Sequence, residues 1–538
     1  MVDNRIYHRV LTLAMFTGGA PLDITDTALR DMLVAPERQA LVQAAHDLAR
    51  TVEGIDWSVV TGVEATFRVE TPAGTIVIGG PGDDVYTEDD LGDEIALLVD
   101  LGGDDTYEVR AGANGSGENP VALNIDLGGR DRYGYEEVGD PDDTDGVLPS
   151  DSPTSRYSGD DNNGPMTLST VNRQGAGVLG IGMLFDLGDD DDRYQSLRVS
   201  QGLGFLGVGV LYDAGGADTY LAEASSQGAG YWGIGALIDM GNGDDQREMF
   251  HQGQGFGYVS AAGIMYDEGG GDEYLADIGD PALGGHPFYY SPQRPRTGNS
   301  SFTGGAGFGR RGDEDGVFLS GGLGLLRDRG DGADTYTASV FGLGTGYWQG
   351  TGLLVDEGGD DAYDALWYVM GGAAHYALAG LFDGAGNDTY NELRGVVGVN
   401  QGSGHDFSVG LLWDGGGDDW HYSSWLGMGT GNCNGIGLYV DASGDDTYLS
   451  NTGGAYGMGN TSGECDVDAG RRRVATIGFF VDGGGADDYS EVPDAEGREG
   501  TVHREDDTLW LFTGTSEYDI VEHGGGIDGT GGGGLSLP

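Results

Sequence analysis

Short runs in which small and apolar residues alternate recur along most of the chain, and each run ends in an aspartate. Three successive runs read QGAGVLGIGMLFD (174–186), QGLGFLGVGVLYD (201–213) and QGAGYWGIGALID (227–239). Alternation with a period of two predicts β-strands, because neighbouring side chains of a strand point to opposite faces. Each run leads into an Asp- and Gly-rich segment of the kind that forms tight turns. The pattern therefore predicts a strand, a turn and a further strand, repeated many times.

The turn segments share the motif Asp-x-x-Gly-x-Asp-x-Tyr, whose two acidic positions are called here the first Asp and the second Asp. Clear copies are DLGGDDTY (100–107), DLGGRDRY (126–133), DAGGADTY (213–220), DEGGGDEY (267–274), DEGGDDAY (356–363), DGAGNDTY (383–390), DASGDDTY (441–448) and DGGGADDY (482–489). Looser copies begin at Gly79, Asp186, Asp239, Asp328 and Asp414. Most neighbouring copies lie about 27 residues apart, which is a period typical of stacked repeat architectures.

Strands and turns repeated at this period predict an all-β fold, a right-handed parallel β-helix (solenoid) with coils of about 27 residues over residues 76–490. The gaps from Asp126 to Asp186 and from Asp267 to Asp328 are about twice as long. Each gap fits either two coils or one coil with a loop excursion. The Pro- and Ser-rich excursions span about 134–173 and 275–303, and long loops often carry function.

The two ends of the chain differ from the repeats. Helical periodicity over 26–54 predicts a small N-terminal α-helical cap within residues 1–75, because a solenoid leaves its terminal coil exposed. Residues 10–16 (VLTLAMF) fit an amphipathic helix better than a signal-peptide core, since no clear cleavage site follows. Residues 491–538 predict a C-terminal cap and a flexible Gly-rich tail, which begins at GGGIDGTGGGG (524–534).

Small residues occupy alternate positions of the strand before the Asp in many copies, as at Gly207 and Gly209 or Gly233 and Gly235. If this face points inward, it permits a thin coil whose opposite wall lies close; if it points outward, it offers a flat surface for self-association into filaments or layers. We expect it to face inward, because Gly weakens an exposed strand without a gain.

Composition limits the possible partners. The 538 residues include 107 Gly, 89 acidic residues and only 26 basic residues, all of them Arg, and the net charge is -63. Nucleic acid is excluded as a partner, because phosphate binding needs a basic surface. No apolar run reaches the roughly 18 residues that a membrane-spanning helix needs. So much like charge requires bound cations or salt to offset its repulsion.

The segment GGPGDDVYT (79–87) matches Gly-Gly-x-Gly-x-Asp-x-U-x and resembles the calcium-binding nonapeptide of the RTX β-roll family. The resemblance implies that carboxylates and turn carbonyls of neighbouring coils share calcium ions. The family's Asp then falls on Asp84, Asp105, Asp131, Asp218, Asp272, Asp361, Asp388, Asp446 and Asp487. This chain departs from the family in having one Asp loop per coil and mostly Tyr where the family has Leu.

Stacked carboxylates give an independent reason to expect a cation. Two charges one coil apart repel by about 0.9 kcal/mol in water and by roughly 3.5 kcal/mol at an effective dielectric of 20. Calcium suits such flexible oxygen cages. The first Asp therefore joins the candidate ligands, at Asp100, Asp126, Asp213, Asp267, Asp356, Asp383, Asp441 and Asp482. The alternative is that Asp and Gly serve only as turn formers in a protein from a salty habitat.

Two further groups of residues carry chemistry. Cys433 and Cys465 lie about one coil apart, which predicts a disulfide between neighbouring coils and an oxidising compartment. Trp348, His375, His405 and Cys433 share one position in four copies. That column is either a transition-metal site or a packing position.

Two other positions recur in the repeat. The Tyr that ends each turn motif predicts a column of stacked rings whose hydroxyls reach the turn carbonyls. The Gln-Gly pair that begins runs such as 201–213 predicts a corner supported by a stacked Gln ladder.

These features favour an extracellular, calcium-binding structural or adhesive protein of a surface layer, filament or matrix. A polysaccharide-active lyase or epimerase is the first alternative, with Arg294, Arg296, Arg310 and Arg311 as candidate cations. A carbohydrate-binding module that uses exposed Trp and Tyr is the second. The position of the two excursions relative to one sheet face distinguishes these alternatives.

Overall fold

The computed structural model describes residues 38–60, 66–114, 119–134, 156–158, 165–167, 171–276, 291, 298–311, 318–393, 395–450, 455–460, 465, 471–489, 508–515 and 520–529. The chain is mostly β-strand, arranged in several parallel sheets, as the alternating pattern predicts. It divides into two compact units. The first contains 1–268, 278–299 and 309–320, and the second contains 269–277, 300–308 and 321–538.

In the first unit, successive copies of the repeat contribute strands to three sheets. Strands that run into the first Asp form the long sheet, in the order β1 (Phe67–Thr71), β2 (Gly74–Ile78), β4 (Ile95–Val99), β6 (Val121–Asp126), β11 (Ile181–Asp186), β14 (Val208–Asp213), β17 (Ile234–Asp239) and β19 (Ala262–Tyr266). Strands at the motif's Tyr form the tyrosine sheet, β3 (Val85–Thr87), β5 (Thr106–Glu108), β7 (Arg132–Tyr133), β12 (Arg193–Gln195), β15 (Thr219–Leu221) and β18 (Gln246–Met249). Two-residue strands after the Gln-Gly corner form the glycine sheet, β10 (Gly177–Val178), β13 (Gly204–Phe205) and β16 (Gly230–Tyr231).

Equivalent residues of successive copies pair with one another, so the repeat becomes a set of columns. Tyr133 pairs with Tyr194 in the tyrosine sheet, and Asp126 pairs with Asp186 in the long sheet. The gap between these copies is therefore one copy with an excursion, and the two-coil alternative is wrong. Within the excursion, β8 (Arg156–Ser158) and β9 (Pro165–Thr167) pair antiparallel. Most of 134–173 and of 275–303 lies outside the described residues.

Helix α1 (Arg38–Glu53) packs its apolar side on the long sheet of the first unit. Ala45 and Val52 lie in one buried cluster with Ile181, Phe185 and Val208, whose side chains alternate with residues that face the interior. The helix ends as the sequence predicts, with the Gly54 N–H donating to the Arg50 carbonyl. Residues 1–37, including the apolar segment 10–16, lie outside the described residues.

The other helical segments among the described residues of the first unit are a 3₁₀ turn at Trp57–Val59 and helix α2 (Glu88–Leu91), which Thr87 caps. In the part of the chain that the structure describes, no helix is long and apolar enough to cross a membrane.

The second unit repeats the arrangement. Its long sheet runs β23 (Leu323–Arg327), β26 (Thr351–Val355), β29 (Leu378–Phe382), β32 (Val409–Asp414), β35 (Ile436–Asp441), β38 (Thr476–Asp482), β40 (Val521–Asp528) and β39 (Leu509–Thr515). Its tyrosine sheet contains β20 (Glu273–Ala276), β24 (Thr335–Gly342), β27 (Ala362–Val369), β30 (Thr389–Tyr390), β33 (Trp420–Ser423) and β36 (Thr447–Ser450), with β21 (Ser300–Thr303) beside β24. Its glycine sheet contains β22 (Gly307–Phe308), β25 (Gly346–Tyr347), β28 (Ala373–Ala374), β31 (Gly404–His405), β34 (Gly431–Asn432) and β37 (Gly459–Asn460). A 3₁₀ turn at Arg471–Arg473 precedes β38.

Strand β40 corrects the prediction of a flexible tail from residue 524. It pairs in parallel with β38, and Asp528 aligns with Asp482. Strand β39 then pairs with β40 antiparallel, as β1 does with β2 in the first unit. The segment is a further copy of the repeat, and its Gly-rich composition is shared with the strands that it joins.

The small residues of the long sheet face inward, as expected. A Cβ added to Gly209 would clash with the carbonyl oxygen of Leu203, and one added to Gly235 would clash with that of Ala229. A Cβ on Gly204, in the glycine sheet, would clash with the Ile234 carbonyl in the same way. At these glycines the long and glycine sheets thus meet backbone to backbone.

Candidate metal-binding ladder

The first Asp of each clear copy is buried. In six of these copies its Oδ1 atom accepts a hydrogen bond from the backbone N–H two residues later, namely at Asp100, Asp126, Asp213, Asp356, Asp441 and Asp482. Asp383 Oδ1 accepts none among the described residues. The distance is 2.8 Å from Gly102 N to Asp100 Oδ1 and 2.9 Å from Gly215 N to Asp213 Oδ1. This local bond explains why Asp begins the turn, since its short side chain mimics a backbone turn. The Oδ2 atom remains available to a different partner.

That partner is the Tyr of the preceding copy. Tyr rings stack in a column, with 4.7 Å between the centroids of Tyr133 and Tyr194 and 4.8 Å between those of Tyr194 and Tyr220. Tyr194 donates its hydroxyl to Asp213 Oδ2 at 2.5 Å, and Tyr220 donates to Asp239 Oδ2 at 2.7 Å. The stacking confirms the predicted column. The hydroxyls, however, reach carboxylates rather than turn carbonyls, because a charged acceptor binds a donor more strongly.

The second Asp forms its own column. Its Oδ1 atom accepts the backbone N–H of the second Asp in the preceding copy, at 2.6 Å from Asp192 N to Asp218 Oδ1 and 2.7 Å from Asp361 N to Asp388 Oδ1. The side chain thereby satisfies a backbone donor of the neighbouring copy. The arrangement explains why Asp recurs at this position of the turn.

The other oxygen of the second Asp has no such role. Within the described residues, Oδ2 is buried and accepts no hydrogen bond at Asp105, Asp131, Asp192, Asp218, Asp334, Asp361, Asp388 and Asp419. These side chains are at most 3% exposed. Buried carboxylate oxygens without a partner are costly and call for an explanation, of which a bound ion is one.

Residues that carry these unpartnered oxygens belong to cages of three carboxylates. Each cage joins the first and second Asp of one copy to the first Asp of the next, as in Asp213, Asp218 and Asp239. One oxygen from each carboxylate lies within 4.8 Å of the others. The cages described in this way include Asp100–Asp105–Asp126, Asp126–Asp131–Asp186 and Asp186–Asp192–Asp213. Since neighbouring cages share one Asp, these cages of the first unit form a continuous ladder.

Burial makes the charged form of these carboxyls unfavourable. It raises the pKa of Asp105 to about 8, that of Asp192 to about 10 and that of Asp361 to about 9, and nearby carboxylates raise each pKa further. At neutral pH, a cage must therefore hold protons or a compensating positive charge.

One copy supplies that positive charge itself. Arg247 occupies the Tyr position, paired with Tyr220 in the tyrosine sheet, and is fully buried. Its Nη2 atom lies 3.2 Å from Asp239 Oδ2 and 2.6 Å from Asp245 Oδ2, and it also contacts Asp267 Oδ2. These three residues are the first Asp, the second Asp and the next first Asp. A guanidinium group therefore sits at the centre of a cage.

The structure places most of the predicted ligands in this ladder. Of the seventeen Asp residues predicted to bind metal, all but Asp84 and Asp487 are buried, and those two are half-buried. In the copy of Asp84, Gly79 stands at the first-Asp position, where a Cβ would clash with the Tyr86 hydroxyl and Asp100. The ladder therefore begins at Asp100.

Sequence reasoning missed the ligands in the looser copies. The structure gives the same positions to Asp186, Asp192, Asp239, Asp245, Asp328, Asp334, Asp414, Asp419 and Asp528. Three of these copies carry one extra residue between the first and second Asp, as between Asp186 and Asp192, and therefore do not fit the motif. Aligning the strands that precede each Asp would have found them.

The disulfide predicted from the sequence is present. Cys433 and Cys465 are bonded, with their Cα atoms 5.6 Å apart. This bond removes the thiolate that a transition-metal column would use at Cys433. His375 Nδ1 instead lies 2.6 Å from Asp406 Oδ2, and His405 Nδ1 lies 2.6 Å from Asn432 Oδ1. The hypothesis of a metal column with Cys433 as a ligand is therefore wrong.

At the Gln-Gly corner, the Gln side chains support the bend through bonds to backbone carbonyls of two copies, rather than through bonds from one Gln to the next. Gln201 Nε2 donates to the carbonyls of Tyr194 and Leu221, each at 3.1 Å, and so joins two copies. Gln227 makes the equivalent bonds one copy later.

No family model, curated protein or solved structure matches this chain. Functional inference therefore depends on the geometry of the ladder.

Proposed function

We propose that the protein is an extracellular structural or adhesive protein, a right-handed β-solenoid with coils of about 27 residues that divalent cations stabilise from within. The observation that carries the proposal is the cage at Arg247. There the chain supplies a permanent cation to the same three positions that form the cage of Asp213, Asp218 and Asp239, in which Asp218 Oδ2 lacks a partner among the described residues. A buried charge requires a compensating partner, so the other cages take theirs from solution.

The charge count favours a divalent ion. Because neighbouring cages share their first Asp, each added copy brings two buried carboxylates, which one divalent cation neutralises. Carboxylate and phenol oxygens are hard donors of the kind that calcium and magnesium prefer. In a cage such as Asp213–Asp218–Asp239, backbone N–H groups hold Oδ1, so fewer oxygens remain than the six to eight that calcium takes. We propose calcium, and we include magnesium and manganese in the test.

The burial of the carboxylates supports a structural role over a catalytic one. A lyase or epimerase needs a base that the polysaccharide can reach, whereas the second Asp residues that lack an Oδ2 partner are at most 3% exposed. Of the Arg residues considered for such an enzyme, Arg310 lies in a short antiparallel bridge with Leu319, and Arg294 and Arg296 lie outside the described residues. The disulfide supports an oxidising location.

One surface feature of the second unit favours the carbohydrate-binding alternative. Tyr376 is 52% exposed, and its ring stacks on that of Phe407 at 5.3 Å. Flat exposed aromatic rings can hold a sugar ring. Glycan-array binding by the wild-type protein, lost in Tyr376→Ala, would favour that function over a purely structural one.

Metal analysis and thermal melting test the main proposal. Protein dialysed against calcium is expected to retain several ions per chain, and EGTA in low salt is expected to lower its melting temperature markedly. Magnesium and manganese are compared at equal concentration. Terbium serves as a calcium probe, because the tyrosine column beside the cages can sensitise its luminescence.

Two outcomes would contradict the proposal. Retention of less than one divalent ion per chain, with a melting curve unchanged by EGTA, would mean that the cages hold protons instead. Tight binding of magnesium or manganese without calcium would keep the cation ladder and overturn the choice of ion.

A further inference from the structure

One cage of the second unit contains a histidine beside its carboxylates. His421 takes the Tyr position in strand β33, paired with Tyr390 on one side and Tyr448 on the other. Its imidazole stacks between their rings, at 4.4 Å and 5.2 Å between centroids. The residue is fully buried. A nitrogen donor thus enters the column between two copies that present phenol oxygens.

The imidazole faces three carboxylates. One ring nitrogen of His421 and one oxygen from each of Asp414, Asp419 and Asp441 lie within 4.8 Å of one another. His421 Nε2 is 3.6 Å from Asp441 Oδ2, too far for a hydrogen bond. The hydrogen bond to Asp441 Oδ2 comes instead from Tyr448, which lies in the same copy as Asp441 and donates its hydroxyl at 2.8 Å.

Two atoms of this cluster lack partners. Among the described residues, neither His421 Nδ1 nor Asp419 Oδ2 makes a hydrogen bond, and both side chains are at least 98% buried. A buried imidazole nitrogen and a buried carboxylate oxygen are each costly to leave unpaired. His421 and Asp419 belong to the same cluster. The unpaired nitrogen and oxygen therefore point to a ligand that accepts both nitrogen and oxygen donors.

A second substitution accompanies the first. Tyr439 stands in strand β35 where the paired strand β32 has Leu412, and its hydroxyl lies 2.9 Å from His421 Nε2. The smaller imidazole leaves room that the phenol fills. The pair replaces a Tyr–Leu combination with a His–Tyr combination, which changes the chemistry of the cage while preserving its packing.

We propose that Asp414, Asp419, His421 and Asp441 form a distinct site for a divalent transition ion of the zinc class, whereas the all-oxygen cages take calcium. The inference rests on the proposed function in treating the carboxylate cages as cation sites. Zinc is commonly held by four donors drawn from His nitrogen and carboxylate oxygen, and imidazole suits zinc, whereas calcium takes oxygen. Four residues supply that set here.

Competition between ions tests the site. Full-length protein is equilibrated with millimolar calcium and increasing zinc, and both ions are measured after dialysis. Wild type is expected to bind one zinc ion per chain that calcium does not displace. His421→Tyr with Tyr439→Leu restores the pair found in other copies, and its zinc affinity is expected to fall at least about tenfold, the scale on which even outer partners of a metal act.

A surface histidine provides the matched control. His46 in helix α1 is exposed, so His46→Gln should leave zinc binding unchanged. X-ray absorption at the zinc edge of wild type gives a readout that needs no variant, and one imidazole with oxygen ligands is expected. Cobalt provides a second probe, since its visible spectrum reports nitrogen coordination.

The outcomes separate this inference from the proposed function. Zinc binding that the double substitution does not weaken, or an absorption edge without imidazole, overturns the site and leaves the calcium ladder standing. Zinc bound at His421 in a protein that retains no calcium overturns the ladder and supports the site. Failure of both ions to bind overturns both.

Discussion

Two neighbouring cages in the first unit have the same arrangement of three carboxylates, but a positively charged side chain contacts all three in only one of them. In the cage of Asp213, Asp218 and Asp239, Tyr220 donates one hydrogen bond, and Asp218 Oδ2 is left without a partner in the described residues. In the next cage, Arg247 stands at the Tyr position and contacts Asp239, Asp245 and Asp267. Asp239 belongs to both.

The difference between the two cages shows that their buried carboxylates require positive charge as well as hydrogen-bond donors. A tyrosine hydroxyl satisfies one oxygen but brings no charge, whereas a guanidinium group supplies a positive charge that does not titrate in proteins. The chain itself therefore supplies one positive charge to the Arg247 cage. The tyrosine cages depend on what solution provides, either protons or cations, and that dependence can be measured.

The largest expected effect is the response of the cation-free protein to pH. Burial raises the pKa of Asp131 to about 11 and that of Asp334 to about 9, far above the value near 3.9 of an unfolded chain. The folded state then binds more protons than the unfolded state between these values. Stability in EGTA should be full below about pH 4 and should fall as pH rises from there through the folded-state pKa values of about 9 and 11. Urea titrations across this range measure it.

Calcium should reverse that slope, because protons and calcium compete for the same oxygens. Stability in calcium is therefore expected to rise or to stay level between pH 5 and 8. If the protein in EGTA became more stable as pH rose, the carboxyls would be ionised without a cation, and the comparison of the two cages would fail.

A large single-site effect is expected at Arg247. Arg247→Met leaves three buried carboxylates without their cation, and removing one partner of a buried ion pair typically costs about 3–5 kcal/mol. Calcium should restore part of this loss, because the altered cage resembles its neighbours. Arg130→Met is the control, since its pair with Asp191 is exposed and is expected to contribute less than about 1 kcal/mol. Equal decreases in the free energy of unfolding of the two variants would show that the buried carboxylates do not need the Arg247 guanidinium for stability.

Part of this comparison could be predicted from the sequence. Period-two alternation and a 27-residue recurrence predicted parallel β-structure, and the recurring Asp predicted a carboxylate column. Arg247 was missed, because GNGDDQREM carries an extra residue and lacks the motif's Tyr. The partners of each oxygen depend on which copy lies next to which, and the Tyr hydroxyls cross from one copy to the next. Such contacts depend on how the strands of neighbouring copies pair, which the motif within a single copy does not specify.

Substituting the second Asp in each cage should give opposite signs. Asn at this position keeps an Oδ1 acceptor for the neighbouring backbone N–H. In EGTA at pH 8, Asp218→Asn removes an uncompensated charge and is expected to stabilise by about 1 kcal/mol, while Asp245→Asn deprives Arg247 of a partner and costs about 1–3 kcal/mol. In calcium, Asp218→Asn should instead destabilise and lose a bound ion. The same sign for both variants in EGTA would contradict the proposed difference.

The smallest expected effect concerns Tyr220, which lies between the two cages. Tyr220→Phe removes the hydroxyl that donates to Asp239 Oδ2 but keeps the ring over which Arg247 lies, 5.3 Å from the centroid to Cζ. We expect this substitution to lower the free energy of unfolding by about 1 kcal/mol in EGTA. The decrease should be smaller in calcium, because the cation gives the same oxygen a partner.

Tyr231→Phe is the matched control. Tyr231 is equally buried, and its hydroxyl donates to the neutral Gln252 Oε1 at 2.7 Å. Its loss should be the same with and without calcium, because no cation competes for that oxygen. A calcium-independent loss at Tyr220 would show that its cage binds no ion at Asp239.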